Sequence, residues 1–277
     1  MHLIGQLTLL LLAAAAAADV QYVEEVTTSS VVKESKYTTV NKVYIKDTRQ
    51  KVRSTISANK KTAKALQKQG QELDASTIVQ VDGRKLYSIN HVANTYVQKR
   101  LPSLKPAAKG MTYPDMSATK PEIDFRFKEL DDTKEINGVV CRRVAAEMRA
   151  RYYRAGTKQL RKENRYLYQA WMATDFPGSA EIANFNQSLA KTSSHPSGTG
   201  GGLEQLRNAV ENYDELAAQV SALEGFPMQS QIKVYVKAGD KKEKQVFQIT
   251  RKVTDLSSST IAASEFRIAK GLKRVKK

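Results

Sequence analysis

The strongest constraint on the fold is the alternation of apolar and polar side chains, with a period of two, along most of the chain. Ile123, Phe125 and Phe127, for example, alternate with Asp124 and Arg126. This period, together with many β-branched residues, is typical of half-buried strands in an antiparallel sheet. The pattern predicts about eleven strands, mostly in sequential order: 20–31, 36–46, 49–57, 77–81, 85–89, 95–98, 123–127, 139–150, 164–173, 232–236 and 243–253.

Turn and helix signals fit the same architecture. Asp82-Gly83 predicts a two-residue hairpin turn, and Asn137-Gly138 predicts another turn between strands. A helical period predicts three helices, over 60–69, 179–190 and 203–223. The third is amphipathic, so we expect it to pack on the sheet of its own domain. The Gly- and Ser-rich stretch 191–202 predicts a flexible linker.

The first eighteen residues predict export. Leu7 to Ala18 is an apolar run of 12 residues, interrupted only by Thr8, and it ends in Ala16-Ala17-Ala18. A helix that spans a bilayer needs roughly 20 residues, whereas small residues before a charge fit a signal-peptidase site. We therefore expect 1–18 to be a cleaved signal peptide. Because no Cys follows the run, we expect a soluble periplasmic or extracellular protein without a lipid anchor.

The net charge of +17 is concentrated in two segments. Residues 142–165 hold nine Lys and Arg against two Glu, and the tail 267–277 holds six basic residues and no acid. In an exported protein the anionic partners open to such segments are membrane headgroups, lipopolysaccharide or acidic polysaccharide rather than nucleic acid. The alternative is a solvated surface without a dedicated partner. The candidate anion-binding residues are Arg149, Arg151, Arg154, Arg161 and Lys162.

The sequence contains no motif for catalysis. There is no nucleophile elbow, zinc-protease pair, phosphate loop or dinucleotide fingerprint. Outside the predicted signal peptide, the histidines are His91 and His195, and we expect both to be turn or strand-edge residues rather than metal ligands. Cys141 is the single cysteine, so no intramolecular disulfide can form. We therefore predict a protein that is not an enzyme and has no cofactor and no metal.

Several segments resemble a family of secreted bacterial proteins related to the lipoprotein-localisation carriers LolA and LolB. The resemblance lies in strand ends and turns: Val81-Asp82-Gly83, Tyr87-Ser88-Ile89-Asn90, 136–141, Trp171-Met172-Ala173, Gly225-Phe226-Pro227 and 265–271. It implies a mainly β (α+β) fold, an open antiparallel half-barrel whose helices cover the concave side and enclose an apolar cavity. The chain departs from the family at Ala269-Lys270-Gly271-Leu272, where a Pro-Gly-Tyr-like stretch is usual.

These observations predict a single LolA-like domain over 19–277, with the linker 191–202 and the basic tail 267–277 as additions. The predicted function is to bind or carry a lipid or other hydrophobic ligand between curved sheet and helices. The residues expected to face the cavity are Phe125, Phe127, Met148, Trp171 and Val234. The alternative is a structural or interaction protein that binds anionic envelope polymers through its basic surface.

Overall fold

The structure is a computed structural model, and it describes residues 19–31, 35–104, 121–154, 156–193 and 213–276. Within those ranges the chain forms twelve strands, three α-helices and a short 3₁₀ helix, Ala263–Phe266. The helices are α1 (Lys60–Lys68), α2 (Ser179–Thr192) and α3 (Tyr213–Ser221). The strands are β1 (Val20–Ser30), β2 (Ser35–Lys46), β3 (Arg49–Ala58), β4 (Asp74–Gln80), β5 (Lys85–Asn90), β6 (Thr95–Arg100), β7 (Glu122–Ile136), β8 (Val139–Tyr153), β9 (Leu160–Ala173), β10 (Phe226–Ala238), β11 (Lys244–Ser258) and β12 (Lys273–Arg274).

All twelve strands belong to one sheet in the order β12-β6-β5-β4-β3-β2-β1-β11-β10-β9-β8-β7. Neighbours from β6 to β7 in that order are antiparallel, and β12 alone runs parallel to its neighbour β6. The sheet is open, because its edge strands β12 and β7 do not pair with each other. The predicted mainly β, open antiparallel architecture is confirmed. The additional strand is β12, which is too short to give a periodic signal.

The turns follow their local chemistry. Asn137 and Gly138 both have positive φ, which the two-residue turn between β7 and β8 requires. The Asp82-Gly83 hairpin forms as well, but its loop has four residues, because Gln80 pairs with Lys85 and Arg84 takes the left-handed conformation. The prediction of a two-residue turn was therefore wrong, since the loop is one residue longer on each side than Asp82-Gly83. At the start of α1, the Asn59 side chain caps the helix, because it accepts a hydrogen bond from the Thr62 amide.

Antiparallel pairing gives the sheet two ends, which we name after the helices beside them. At the α1 end, β3 ends and β4 begins, with α1 between them; the turns β1–β2, β5–β6, β8–β9 and β10–β11 lie at the same end. At the α2 end lie the turns β2–β3, β4–β5 and β7–β8 and the connection from β9 into α2.

The inner face of the sheet, defined by Val20, Tyr22, Glu24 and Val26 of β1, packs against α2 at the α2 end. Ile182, Phe185 and Leu189 of α2 form one buried cluster with strand residues such as Val43, Ile45 and Val79 and with Val81 in the β4–β5 turn. Two polar contacts fix the helix: the Asp47 amide donates to the Glu181 carboxylate, and Ser193 Oγ donates to the Pro102 carbonyl at 2.6 Å. The helix therefore reaches from β1 and β2 to the end of β6.

The C-terminal segment packs on the opposite, outer face of β2–β6. Ile261 and Phe266 form a buried cluster with Ile78 and Ile89, and Ile268 and Leu272 contact it. This segment includes the first half of the predicted basic tail 267–277. Its apolar residues are part of the folded domain, and its Lys273 and Arg274 form β12.

Several predicted segments fall outside the described residues: the signal peptide 1–18, most of the linker 191–202, and 203–212 of the third helix. The remaining part of that helix is α3, and α2 extends two residues beyond its predicted end. No helix in the described ranges is both long and apolar enough to cross a membrane.

Candidate hydrophobic ligand site

One cross-strand row of side chains joins three of the five predicted cavity residues. Met148 pairs with Phe125 on one side and Tyr166 on the other, and Tyr166 pairs with Val234. Directly paired residues in antiparallel strands lie on the same face, so the row crosses the inner face from β7 to β10. Met148, Tyr166 and Val234 are buried, and Phe125 at the edge strand is half-buried.

A second row runs parallel to the first. It begins at Phe127 in β7, which pairs with Ala146, and continues through Tyr168 and Ile232 to Ile249 in β11. Leu216 and Val220 of α3 belong to the same buried cluster as both rows. The sequence prediction that the third helix packs on its own sheet is confirmed for the described part, α3.

Burial along these rows decreases toward the edge strand. Ala146, Tyr168 and Ile232 are buried, whereas Phe127 is 41% exposed and Ile123, two residues before Phe125 on the same face, is 37% exposed. The apolar face under α3 thus continues without a break to side chains that solvent reaches along β7. Such an accessible apolar strip beside a packed helix has the chemistry to hold an apolar chain.

Trp171 does not join the other four cavity residues. It pairs with Arg143 in β8 and with Gln229 in β10, and neither of these residues belongs to the two rows. Lys134 Nζ and Arg143 Cζ lie 5.7 and 6.0 Å from the centre of its indole ring. These distances fit cation–π contacts, and the residue is half-buried against the cluster at the α2 end.

The inner face also holds a buried ion pair that the sequence analysis missed. Arg251 Nε donates to Glu24 Oε2 at 2.6 Å, Arg251 Nη1 donates to the Pro227 carbonyl, and Asn41 Nδ2 donates to Glu24 Oε1 at 2.8 Å. Burial acts to lower the pKa of Arg251, but the Glu24 carboxylate together with Tyr22 and Tyr168 acts in the opposite direction, and the net pKa is raised. The sequence does contain a pattern that could have indicated this pair, because each charged residue interrupts a row of alternating apolar residues. Glu24 lies between Tyr22 and Val26 in β1, and Arg251 lies between Ile249 and Val253 in β11.

A pocket of about 290 Å³ lies at the α2 end. Its walls come from α2, from the end of β9 and from the residues that enter β10, including Ile182, Ala173 and Phe226. Ile182, Ala173 and Phe226 also belong to the buried cluster under α2. The pocket is near the lower limit for small-molecule sites, roughly 300 Å³. None of the predicted cavity residues lines it.

The predicted anion-binding residues divide into two groups. Arg149 pairs with Glu147 at 2.6 Å, and Arg151 pairs with Glu163 at 2.9 Å, on the outer face of β8 and β9. The hydrogen bond with Glu147 raises the pKa of Arg149. Arg154 and Arg161 are exposed near the β8–β9 turn at the α1 end, and Lys162 lies 5.7 Å from the ring centre of Tyr152.

The residues that could act as metal ligands or nucleophiles are His91, His195 and Cys141, and those that the structure describes lie in a strand or next to one. His91 follows β5, its Nε2 lies 2.7 Å from Ser76 Oγ, and burial lowers its pKa. Cys141 in β8 is buried, and this burial raises the pKa of its thiol. His195 lies outside the described residues. Among the residues that are described, no three His, Cys, Asp or Glu side chains come together as a metal site.

Comparison with models of protein families gives no match, and comparison with curated proteins gives none. Among solved structures, the chain resembles a domain from Vibrio parahaemolyticus assigned to outer membrane lipoprotein sorting, with 10% identity, a TM-score of 0.29, and coverage of 91% of this chain and 90% of that chain. It also resembles a DUF1329 family protein from Desulfovibrio piger, with 7% identity, a TM-score of 0.21, and 91% of each chain covered. The resemblance to lipoprotein-localisation proteins agrees with the sequence. At these TM-scores it carries no argument about ligand or activity.

Proposed function

We propose that the protein binds or carries a lipid, or another molecule with a long apolar chain, on the inner face of its sheet. The observation that carries this proposal is the apolar strip of Ile123, Phe125 and Phe127 on the edge strand β7. The strip is continuous with the buried cluster under α3, yet two of its three side chains are more than a third exposed. An apolar chain laid along it would remove that surface from water.

In this proposal the sheet is the half-barrel that the sequence predicted, and α2 and α3 cover its concave side. The two apolar rows supply the wall of the site, and the chain enters along β7, where pairing with a further strand is absent in the described sheet. Burial of an acyl chain contributes about 0.8 kcal/mol per methylene group, so a site that takes a few carbons already gives useful affinity. The pocket at the α2 end is a second space of the right character for the end of such a chain.

The proposal keeps the cellular location that the sequence predicts. Residues 1–18 act as a cleaved signal peptide and the protein works in the periplasm or outside the cell, as a carrier rather than an enzyme. The alternative function, binding of anionic envelope polymers, drew on Arg149, Arg151, Arg154, Arg161 and Lys162. Arg149 is engaged by Glu147 of the same strand and Arg151 by Glu163 of the neighbouring strand, and this counts against these two residues as a polymer site.

Binding of a dansyl-labelled fatty acid, followed by fluorescence, tests the proposal with a matched pair of variants. Phe127→Ser removes an exposed side chain of the strip, and Val140→Ser removes a side chain that is 66% exposed in β8, at the α2 end of the sheet. We expect Phe127→Ser to weaken binding about fivefold or more, because a phenyl contact contributes more than 1 kcal/mol. Val140→Ser should leave the affinity unchanged. Equal effects of the two substitutions, or no binding of the probe, would overturn the proposal.

A further inference from the structure

The two ends of the sheet carry opposite charge. The described connections at the α1 end hold eight basic residues against three carboxylates, namely Glu72, Asp240 and Glu243. Those at the α2 end, counted with α2 and the loop 222–225 before β10 but without α3 and the C-terminal segment after β11, hold five carboxylates against Arg84 and Lys191. The five carboxylates are Asp47, Asp82, Asp175, Glu181 and Glu224. The eight basic residues at the α1 end are Lys60, Lys61, Lys64, Lys68, Arg154, Lys158, Lys241 and Lys242.

Half of this positive charge comes from α1. Thr62 and Leu66 are the buried residues of this helix, and all four of its lysines are exposed, with no acidic residue among its nine. The lysines therefore face solvent in one group beside β3 and β2. A short helix of this composition gains little from its own sequence, and burial of Leu66 against the domain holds it in place.

The other half comes from two turns that are joined by a hydrogen bond. The Gly239 amide in the β10–β11 turn donates to the Arg161 carbonyl at 2.9 Å, next to the β8–β9 turn. Arg154, Lys158, Lys241 and Lys242 thus lie on neighbouring turns although they are distant in sequence. The Glu243 carboxylate does not neutralise them, since it pairs with Arg165 at 2.7 Å.

Exposed apolar side chains occur among these cations. Val31 in the β1–β2 turn is 62% exposed and Val92 in the β5–β6 turn is 73% exposed, and both turns are at the α1 end. Ile123, at the start of β7, belongs to the same end. The α2 end also exposes an apolar residue, Val140, but its connections are net negative and would be repelled by an anionic surface.

From this arrangement we propose that the α1 end docks on the surface of an anionic lipid bilayer. Each lysine or arginine near such a surface strengthens binding about fivefold, and apolar side chains that enter the interface add to it. A dissolved polyanion would use the lysines but offers nothing to Val31 and Val92, which favours the bilayer. Docking in this orientation directs the Ile123 end of β7 toward the membrane. The inference does not require the protein to carry a lipid.

Flotation of the purified protein with vesicles tests the inference. The probes are vesicles of phosphatidylcholine with phosphatidylglycerol, vesicles of phosphatidylcholine alone, and soluble polyglutamate. The α1-end variant changes Lys60, Lys61, Lys241 and Lys242 to Gln. The matched control removes the same charge elsewhere, from the exposed Lys85, Lys99, Lys128 and Lys252. A third variant, Val31→Ser with Val92→Ser, tests the apolar contribution, and thermal unfolding verifies that each variant is folded.

Of the two kinds of vesicle, we expect the protein to bind only the anionic one, and we expect a loss of affinity of about tenfold or more in the α1-end variant. The control variant should stay within about twofold of the parent, because its lysines lie away from the docking end. The valine variant should bind the vesicles more weakly but polyglutamate as before. Equal losses in the α1-end and control variants, absence of vesicle binding, or an unchanged valine variant would overturn the inference. The last of these results would identify a soluble polyanion as the partner.

Discussion

Arg251 Nε lies 2.6 Å from Glu24 Oε2, and both side chains are buried on the inner face of the sheet. The pair joins β11 to β1, the two strands that bring the N- and C-terminal parts of the sheet together. It lies between the apolar cluster under α2 and the cluster under α3. Its loss should therefore affect the stability of the whole sheet rather than that of one hairpin.

The first prediction concerns this pair. Arg251→Met leaves the Glu24 carboxylate buried without its cation and should lower the free energy of unfolding by about 3–5 kcal/mol. The double variant with Glu24→Leu removes both charges and should recover most of that loss. Urea unfolding of the two single variants and the double variant measures the coupling. If the losses of the single variants simply add, the ion pair does not have the role assigned to it.

The second prediction concerns the start of α2. Gly178 has φ of +93°, and a Cβ atom there would lie 1.9 Å from Val20 Cγ2. Gly178→Ala should lower the free energy of unfolding by about 3 kcal/mol, through backbone strain and the clash with Val20. Gly70→Ala is the matched control, because Gly70 has φ of +78° but open space around its Cβ position. Its loss should be about 1 kcal/mol, and equal losses in thermal or urea unfolding would contradict the packing of α2.

The third prediction concerns pH. Burial raises the pKa of Glu181, although the Asp47 amide that donates to it acts in the opposite direction. Between the usual pKa of about 4.3 and the raised one, the folded state holds more protons than the unfolded state. The contribution of Glu181 to stability is therefore complete at low pH and is lost as the pH rises through this window.

Glu181→Gln removes this proton linkage while it keeps an oxygen that can accept from Asp47. The variant should gain stability relative to the parent protein between about pH 4 and about pH 7. Urea unfolding at both pH values gives the difference. A difference that is independent of pH would show that the carboxyl group does not titrate with a raised pKa.

Much of the sheet could be predicted from local sequence because each strand has its own period-two signal. The hairpin β7–β8 illustrates this, since the alternation around Phe125 indicates its first strand, the alternation after Gly138 indicates its second, and the dipeptide Asn137-Gly138 indicates its turn. The first strand continues to Ile136, beyond the predicted 123–127. The face of a given residue was harder to predict. Phe125, Met148 and Val234 do meet in one row, whereas Trp171 joins neither of the two rows. Its position depends on the register of β9 with its neighbours, which alternation within one strand does not fix.

Interactions between distant segments could not be read from the sequence. Arg151 looks like a free cation along the chain, but Glu163 of the neighbouring strand meets it on the folded surface. The pairing of β1 with β11 places Arg251 against Glu24 across 227 residues. The grouping of lysines at the α1 end likewise depends on topology, since α1 and the β10–β11 turn are adjacent to the same sheet end only once the strand order is known.

The central claim is that the inner face holds an apolar ligand. The most direct test is to identify and quantify the molecules that are bound to the purified protein. The protein is purified from the periplasm of expressing cells and extracted with organic solvent, and the extract is analysed by mass spectrometry. The proposal predicts one lipid class in stoichiometric amount, reduced in Phe127→Ser and retained in Val140→Ser. An extract without lipid, from a protein that also fails to take up the labelled fatty acid, would contradict the claim.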